Sequence, residues 1–173
     1  IYIQGMINYN RSFGRHDVSA MVVYNQEETA LGNPGSLFSS LPKRKQGLAG
    51  RLTYGYDNRY LIEANFGYNG SENFAEGRRF GFFPSVAVGW NVNREPWMQN
   101  ARFIDNFKIR ASYGMLGNNN VALYRYQTII DNSGNEIVNG NPDLTWEKVK
   151  ILDAGIDLSL FGQKLEVTFD WFR

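Results

Sequence analysis

The stretch Tyr60-Leu61-Ile62-Glu63-Ala64-Asn65-Phe66-Gly67-Tyr68-Asn69 changes face at nearly every residue. Tyr60, Ile62, Ala64, Phe66 and Tyr68 fall on one side; Glu63, Asn65, Gly67 and Asn69 fall on the other. Period two over such a length is the pattern of a β-strand with unlike faces, because a helix needs apolar positions three and four apart. Just upstream, Asp57-Asn58 reads as a tight turn, since both residue types tolerate left-handed backbone. Before the turn, Leu48, Leu52, Tyr54 and Tyr56 alternate with Gly47, Ala49, Arg51, Thr53 and Gly55. The two segments are predicted to form a hairpin.

The same period extends in both directions. Toward the N-terminus, Ile1, Ile3, Ile7 and Tyr9 oppose Gln4, Asn8 and Asn10, and Val18, Ala20, Val22 and Tyr24 oppose Asp17, Ser19 and Asn25, joined by a turn around Ser12 to Arg15. Toward the C-terminus, Val86, Val88, Trp90 and Val92 oppose Ser85, Ala87, Gly89 and Asn91. Phe107, Ile109, Ala111, Tyr113 and Met115 oppose Lys108, Arg110, Ser112 and Gly114. Leu152, Ala154, Ile156 and Leu158 face away from Asp153, Gly155, Asp157 and Ser159, and Leu165, Val167, Phe169 and Trp171 from Lys164, Glu166, Thr168 and Asp170. The expected fold is therefore all-β: an antiparallel meander of about eight strands, each near the ten residues that a membrane-crossing strand needs. Short connections near 11–16, 57–58, 93–106 and 160–163 alternate with long loops near 27–45, 70–83 and 117–145. A short helix is expected around Glu95 to Ala101, and a small hairpin around Asp131 to Asn135.

Composition narrows the function. The 173 residues include no cysteine, which excludes a disulfide scaffold and thiolate metal sites. A net charge of +1 gives no electrostatic footprint for nucleic acid. Mean hydropathy is −0.41, and no apolar run is long enough for a membrane helix, which leaves a transmembrane barrel open because its apolar face hides in alternate positions. A soluble β-sandwich ligand-binding domain explains the alternation as well. Two details favour the membrane. Tyr9, Tyr24, Tyr54, Tyr56, Tyr60, Tyr68, Trp90 and Trp171 sit near strand ends on the apolar face, where interface girdles need amphipathic rings. The polar face mixes small residues with both signs of charge, as a lumen does: Arg51, Glu63, Asn65, Lys108, Arg110, Asp153 and Asp157 are the candidate lumen-facing residues. Both termini fall inside the alternation, so the chain reads as an internal piece or a processed product rather than a complete gene product.

Four motifs, in order, resemble one family. Tyr54-Gly55-Tyr56-Asp57-Asn58-Arg59-Tyr60 is similar to a hairpin turn of the SusC/RagA-like TonB-dependent outer-membrane transporters. Phe83-Pro84-Ser85 to Gly89-Trp90 resembles their "FPS…GW" strand, and Phe107 to Gly114 with Gly117-Asn118 resembles their "K-x-R-x-S-Y-G…GN" segment. Asn141-Pro142-Asp143-Leu144-Thr145-Trp146-Glu147 resembles their "NP-x-L-x-WE" block. The resemblance implies about 22 strands around a plug, of which this chain would hold roughly a third. It further implies import of oligosaccharides or peptides, a SusD-like surface lipoprotein as lid, and energy from TonB acting on a plug that the 173 residues do not contain. Residues 1–173 then form a partial barrel in the outer membrane of a Gram-negative cell, in contact with lipid.

Signals for catalysis are thin. The single histidine, His16, lies in a turn, so no Ser-His-Asp set and no histidine metal cluster assembles. Glu27-Glu28 are adjacent and would point oppositely in a strand, which argues against a glycosidase pair, although a β-rich glycan hydrolase stays as a rival. Asp131 to Glu136 lacks the spaced acids of a calcium loop, and Gly77-Arg78-Arg79-Phe80-Gly81 lacks the helix of a phosphate loop. No cofactor or metal is expected. For ligand contact, sugars need aromatic faces and amides: Tyr124, Tyr126 and Trp146 with Asn118, Asn119 and Asn141 are the loop candidates, the competing reading being that Asn141, Pro142 and Trp146 only shape the loop's return to the strand.

Overall fold

The computed structural model describes residues 1–30, 32, 42–101, 103–121, 125–130, 133–134 and 136–173. Ten strands follow in order: β1 (Tyr2–Phe13), β2 (His16–Thr29), β3 (Lys43–Tyr56), β4 (Tyr60–Ser71), β5 (Phe80–Asn91), β6 (Ile104–Asn118), β7 (Ile129–Ile130), β8 (Glu136–Val138), β9 (Glu147–Leu160) and β10 (Leu165–Phe172). Eight make one antiparallel sheet, β1-β2-β3-β4-β5-β6-β9-β10, and β7 pairs with β8 inside the loop between β6 and β9. This is the expected meander. The small hairpin is present as β7–β8, but Asp131, Asn132 and Asn135 of its turn lie outside the described residues.

The strands are longer than the alternation indicates, and the loops shorter. The connection is expected near 11–16, yet pairing continues to Phe13↔His16. The basic run Lys43-Arg44-Lys45, expected in a loop, pairs with Glu27 to Thr29. Backbone donors and acceptors keep pairing wherever a neighbour is available, whatever the side chains. β3 and β6, of 14 and 15 residues, are longer than the 9 to 11 or so that a bilayer-crossing strand needs. The expected helix at Glu95 to Ala101 is instead two 3-10 turns, Val92–Arg94 and Pro96–Met98. The residue before a proline avoids helical backbone, and Glu95 is extended at ψ 144°, which splits the segment. At the β3–β4 turn both Asp57 and Asn58 have φ of 53°, and the Arg59 N–H donates to the Tyr56 carbonyl at 2.9 Å. Two successive left-handed residues match the right-handed twist of the flanking strands.

The two faces are unlike. Tyr60, Ile62, Phe66 and Tyr68 are exposed, Ile62 at 49%, whereas Glu63 and Asn65 between them are half-buried. A cavity of about 510 Å³ lies against the polar face, lined by Asn10, Ser19, Thr53, Glu63, Ala87 and Lys108 from six successive strands, so that face is concave. Among the described residues only Phe74, Phe83, Val92 and Trp146 are buried hydrophobics. A sandwich would bury its apolar face on a second sheet. Here the second sheet is the two short strands β7 and β8, and the apolar face of the meander is uncovered.

Candidate functional site

The polar face carries its charges in cross-strand rows. Arg110 on β6 lies opposite Gly155 on β9, which lies opposite Asp170 on β10. A Cβ on Gly155 would sit 2.7 Å from the Arg110 Cζ and 2.5 Å from the Asp170 Oδ1. The missing side chain therefore lets the guanidinium lie across β9 and reach the next strand. Arg110 Nε donates to Asp157 Oδ2 at 3.1 Å, Nη1 to Asp153 Oδ1 at 3.3 Å, and Nη2 to Asp170. The one guanidinium thus serves three carboxylates on two strands. Two strands away, Arg51 Nε donates to Asn65 Oδ1 at 2.9 Å and stands 3.7 Å from Glu63, while Asn65 Nδ2 donates to Glu63 at 2.8 Å. Lys108 is opposite Asp157 in register and lines the 510 Å³ cavity. All seven polar-face candidates thus share the concave face, six of them in two hydrogen-bonded sets. Asp170 is an addition that the sequence did not single out.

At the long-loop end an aromatic cluster ties loops to sheet. The β5–β6 ladder runs from Asn91↔Lys108 to Ser85↔Gly114 and stops beside Pro84, which has no N–H to donate. Beyond that point Phe83 packs edge-on against Trp146 at 5.2 Å, and Trp146 packs on Phe74 at 5.3 Å, with Val121 and Leu144 against them. The Trp146 indole N–H donates to the Arg79 carbonyl at 3.0 Å. Polar links reinforce the cluster: Arg78 pairs with Asp143 at 2.7 Å, and Asn73 Nδ2 donates to the carbonyls of Asn119 and Val121 at 3.0 and 3.3 Å. The loops at 72–79 and 119–146 therefore hold each other.

The loop candidates divide by placement. Trp146 is 7% exposed, with its ring covered by Phe74 and Phe83. Asn141 Oδ1 accepts from the Asp143 N–H at 2.9 Å and so shapes the turn ahead of β9. Asn118 Nδ2 donates to Glu147 at 2.9 Å across the β6–β9 pair, and its Oδ1 accepts from the Asn120 N–H. Asn119 lines a second cavity of about 310 Å³ that also includes Trp146. Tyr126 is half-buried in the loop, with the Gln127 amide near its hydroxyl at 3.4 Å. Tyr124 lies outside the described residues. The structure brings Asn119 and Trp146 together and leaves Tyr126 and Asn141 apart from that cavity.

The turn end has its own anchor. Glu95, 6% exposed, accepts from the Tyr60 hydroxyl at 2.7 Å, the Trp90 indole at 3.0 Å and Arg59 at 3.3 Å. Those bonds, the Tyr60 hydroxyl first, hold its carboxyl below the usual carboxylate range against the opposing effect of burial. The polar ends of two girdle aromatics thus find an internal partner in the connection to β6. No group of three or more potential metal ligands occurs among the described residues.

A meander with an uncovered apolar face, aromatic rings near the strand ends and a concave face of paired charges is the wall of a transmembrane β-barrel. The sequence matches the family described as "TonB dependent receptor-like, beta-barrel" over residues 2–173, and the chain belongs to that family. It is 28% identical to TonB-dependent receptor P3 of Formosa agariphila over 98% of this chain and 20% of that protein. It is 27% identical to TonB-dependent receptor SusC of Bacteroides thetaiotaomicron over 86% of this chain and 16% of SusC. Among solved structures, the RagAB peptide transporter superposes with a TM-score of 0.84 at 20% identity, covering 99% of this chain and 23% of that one. The chain thus spans a fifth or less of the length of these two receptors.

Proposed function

We propose that this segment is part of the barrel wall of an outer-membrane, TonB-dependent nutrient importer of the SusC type, carrying oligosaccharides or peptides. The observation that supports this best is the uncovered apolar face opposite a concave charged face, in a chain that belongs to the TonB-dependent receptor barrel family. In this reading Tyr60, Ile62, Ala64, Phe66 and Tyr68 face lipid, and Arg51, Glu63, Asn65, Lys108, Arg110, Asp153 and Asp157 face the lumen. The hydrogen-bonded sets keep lumen charges paired along the wall. Asn118 at the end of β6 and Asn119, Tyr124 and Tyr126 in the loop that follows are the candidates to meet ligand and a SusD-like lipoprotein, while Asn141 and Trp146 shape the loop's return to the sheet. Plug and TonB contact belong to other parts of a longer protein. The wall has no catalytic role.

Expression of the full-length receptor in its own bacterium, with and without TonB, tests this. The expected result is recovery in the outer-membrane fraction and TonB-dependent uptake of a labelled oligosaccharide or peptide. Recovery in the soluble fraction, or turnover of oligosaccharide lost on Glu27→Gln or Glu28→Gln, would overturn it.

A further inference from the structure

On the concave face near the long loops, Asn25 on β2, Gly47 on β3 and Asn69 on β4 form one cross-strand row. A Cβ on Gly47 would lie 2.7 Å from the Asn25 carboxamide and 2.6 Å from that of Asn69. The two side chains therefore converge over the glycine, in space that any larger residue would take. Neither carboxamide has a hydrogen-bond partner among the described residues. In the next row toward the loops, Glu27 is opposite Lys45. Asn25, Asn69, Glu27 and Lys45 line the 310 Å³ cavity, together with Asn119 and Trp146. That volume is at the lower end of small-molecule sites.

We propose that this row is the floor of a subsite for a neutral oligosaccharide. A carboxamide offers an acceptor and two donors in one plane, which matches hydroxyl groups that both donate and accept. Glu27 adds an acceptor and Lys45 adds donors. Because the two are opposite each other in register, a neutral ligand meets them as a balanced pair, whereas an anionic or cationic one leaves one of them facing like charge. An extended peptide is the poorer fit: the backbone groups of β2, β3 and β4 are spent on their own ladders, so no strand edge remains at the floor to pair with it. The assignment rests on the importer reading above and adds to it the ligand class and the residues of contact.

The test uses the purified full-length receptor against an array of neutral glucan, xylan and mannan oligosaccharides, uronate-containing oligosaccharides and peptides of similar mass. The expected result is binding of a neutral oligosaccharide that weakens about tenfold or more in the Asn25→Leu/Asn69→Leu double variant, the loss usual for unmade hydrogen bonds in a binding site. Gly47→Ala, which keeps both carboxamides but displaces them, is expected to weaken it similarly. Binding confined to charged oligosaccharides or to peptides would overturn the proposal. So would unchanged affinity in variants that reach the outer membrane and still import. Failure of the importer reading looks different: wild-type receptor missing from the outer membrane, or present and passing no solute.

Discussion

Replacing Trp146 separates what its ring contributes from what its N–H contributes. The side chain is 7% exposed, between Phe74 and Phe83. A tryptophan buries on the order of 200 Å². At about 25 cal/mol per Å² that is worth roughly 5 kcal/mol, and partial collapse of the cavity puts Trp146→Ala at about 3–5 kcal/mol. Trp146→Phe keeps most of the packing and removes one of two hydrogen bonds on the Arg79 carbonyl, which still accepts from the Ser71 N–H at 3.0 Å, at a cost of about 0.5–1.5 kcal/mol. The cost falls on the junction between loops and sheet, so the assay is hydrogen exchange of residues 72–79 and 140–149 in the full-length receptor, where opening is local. Trp146→Ala should speed exchange there by roughly 150- to 5000-fold, and Trp146→Phe by roughly 2- to 13-fold, with the strand centres unchanged. A change under about tenfold for Trp146→Ala would refute the view that this ring joins the two loops to the sheet. Loss of ligand with unchanged exchange would make Trp146 a contact residue rather than a packing one.

Other expectations follow from the same structure. Gly155→Ala forces Arg110 and Asp170 apart and should lower stability by about 1–3 kcal/mol in urea unfolding of the folded receptor, whereas Gly162→Ala, at a turn glycine with open space around it, tests backbone strain alone. Ala64→Arg, midway between Tyr60 and Tyr68 on the lipid face, should cost about 2–4 kcal/mol, while Thr53→Arg, on the polar face opposite Glu63, should cost far less; equal costs would put both positions in one environment. The folded-state pKa of Glu95 is depressed, so its stabilising contribution is complete above the unfolded value of about 4.3 and is lost as pH falls through the lower folded value. The stability gap between wild type and Glu95→Gln should therefore be flat from neutral pH down to about 5 and shrink below about 4; a gap that grows on acidification would contradict this.

How far the sequence can be read depends on distance along the chain. Alternation from Tyr60 to Asn69 marks both faces of β4 without knowledge of any neighbour, and Asp57-Asn58 fixes the β3 pairing through turn geometry. The set Arg51, Glu63 and Asn65 sits across that one hairpin and is legible for the same reason. Arg110, Asp153 and Asp157 are legible as residues of one face. Asp170 is not, because its approach to Arg110 depends on β9 pairing with β6 across the 119–146 loop and on the register that aligns Gly155 with both. Trp146 and Asn141 read as ligand candidates because composition marks an aromatic or an amide but not its neighbours; only the packing shows the Trp146 ring covered and the Asn141 amide spent on its own turn. Asn25 and Asn69 are ordinary polar-face residues until the register puts Gly47 between them. The segment at Glu95 misses its helix because Pro96 acts on the residue before it.

In the proposed importer, one face of this meander meets lipid and the other meets an aqueous lumen. This segment has no cysteine, so single cysteines placed in turn at residues 60–69 of a cysteine-free full-length receptor can carry a spin label at one position each. Collision rates with oxygen, which partitions into lipid, and with a water-soluble nickel complex then report the environment. The expected result is a period of two: oxygen access highest at 60, 62, 64, 66 and 68, nickel access highest at 63, 65, 67 and 69. Nickel access that is uniformly high, or a period with the opposite phase, would contradict it.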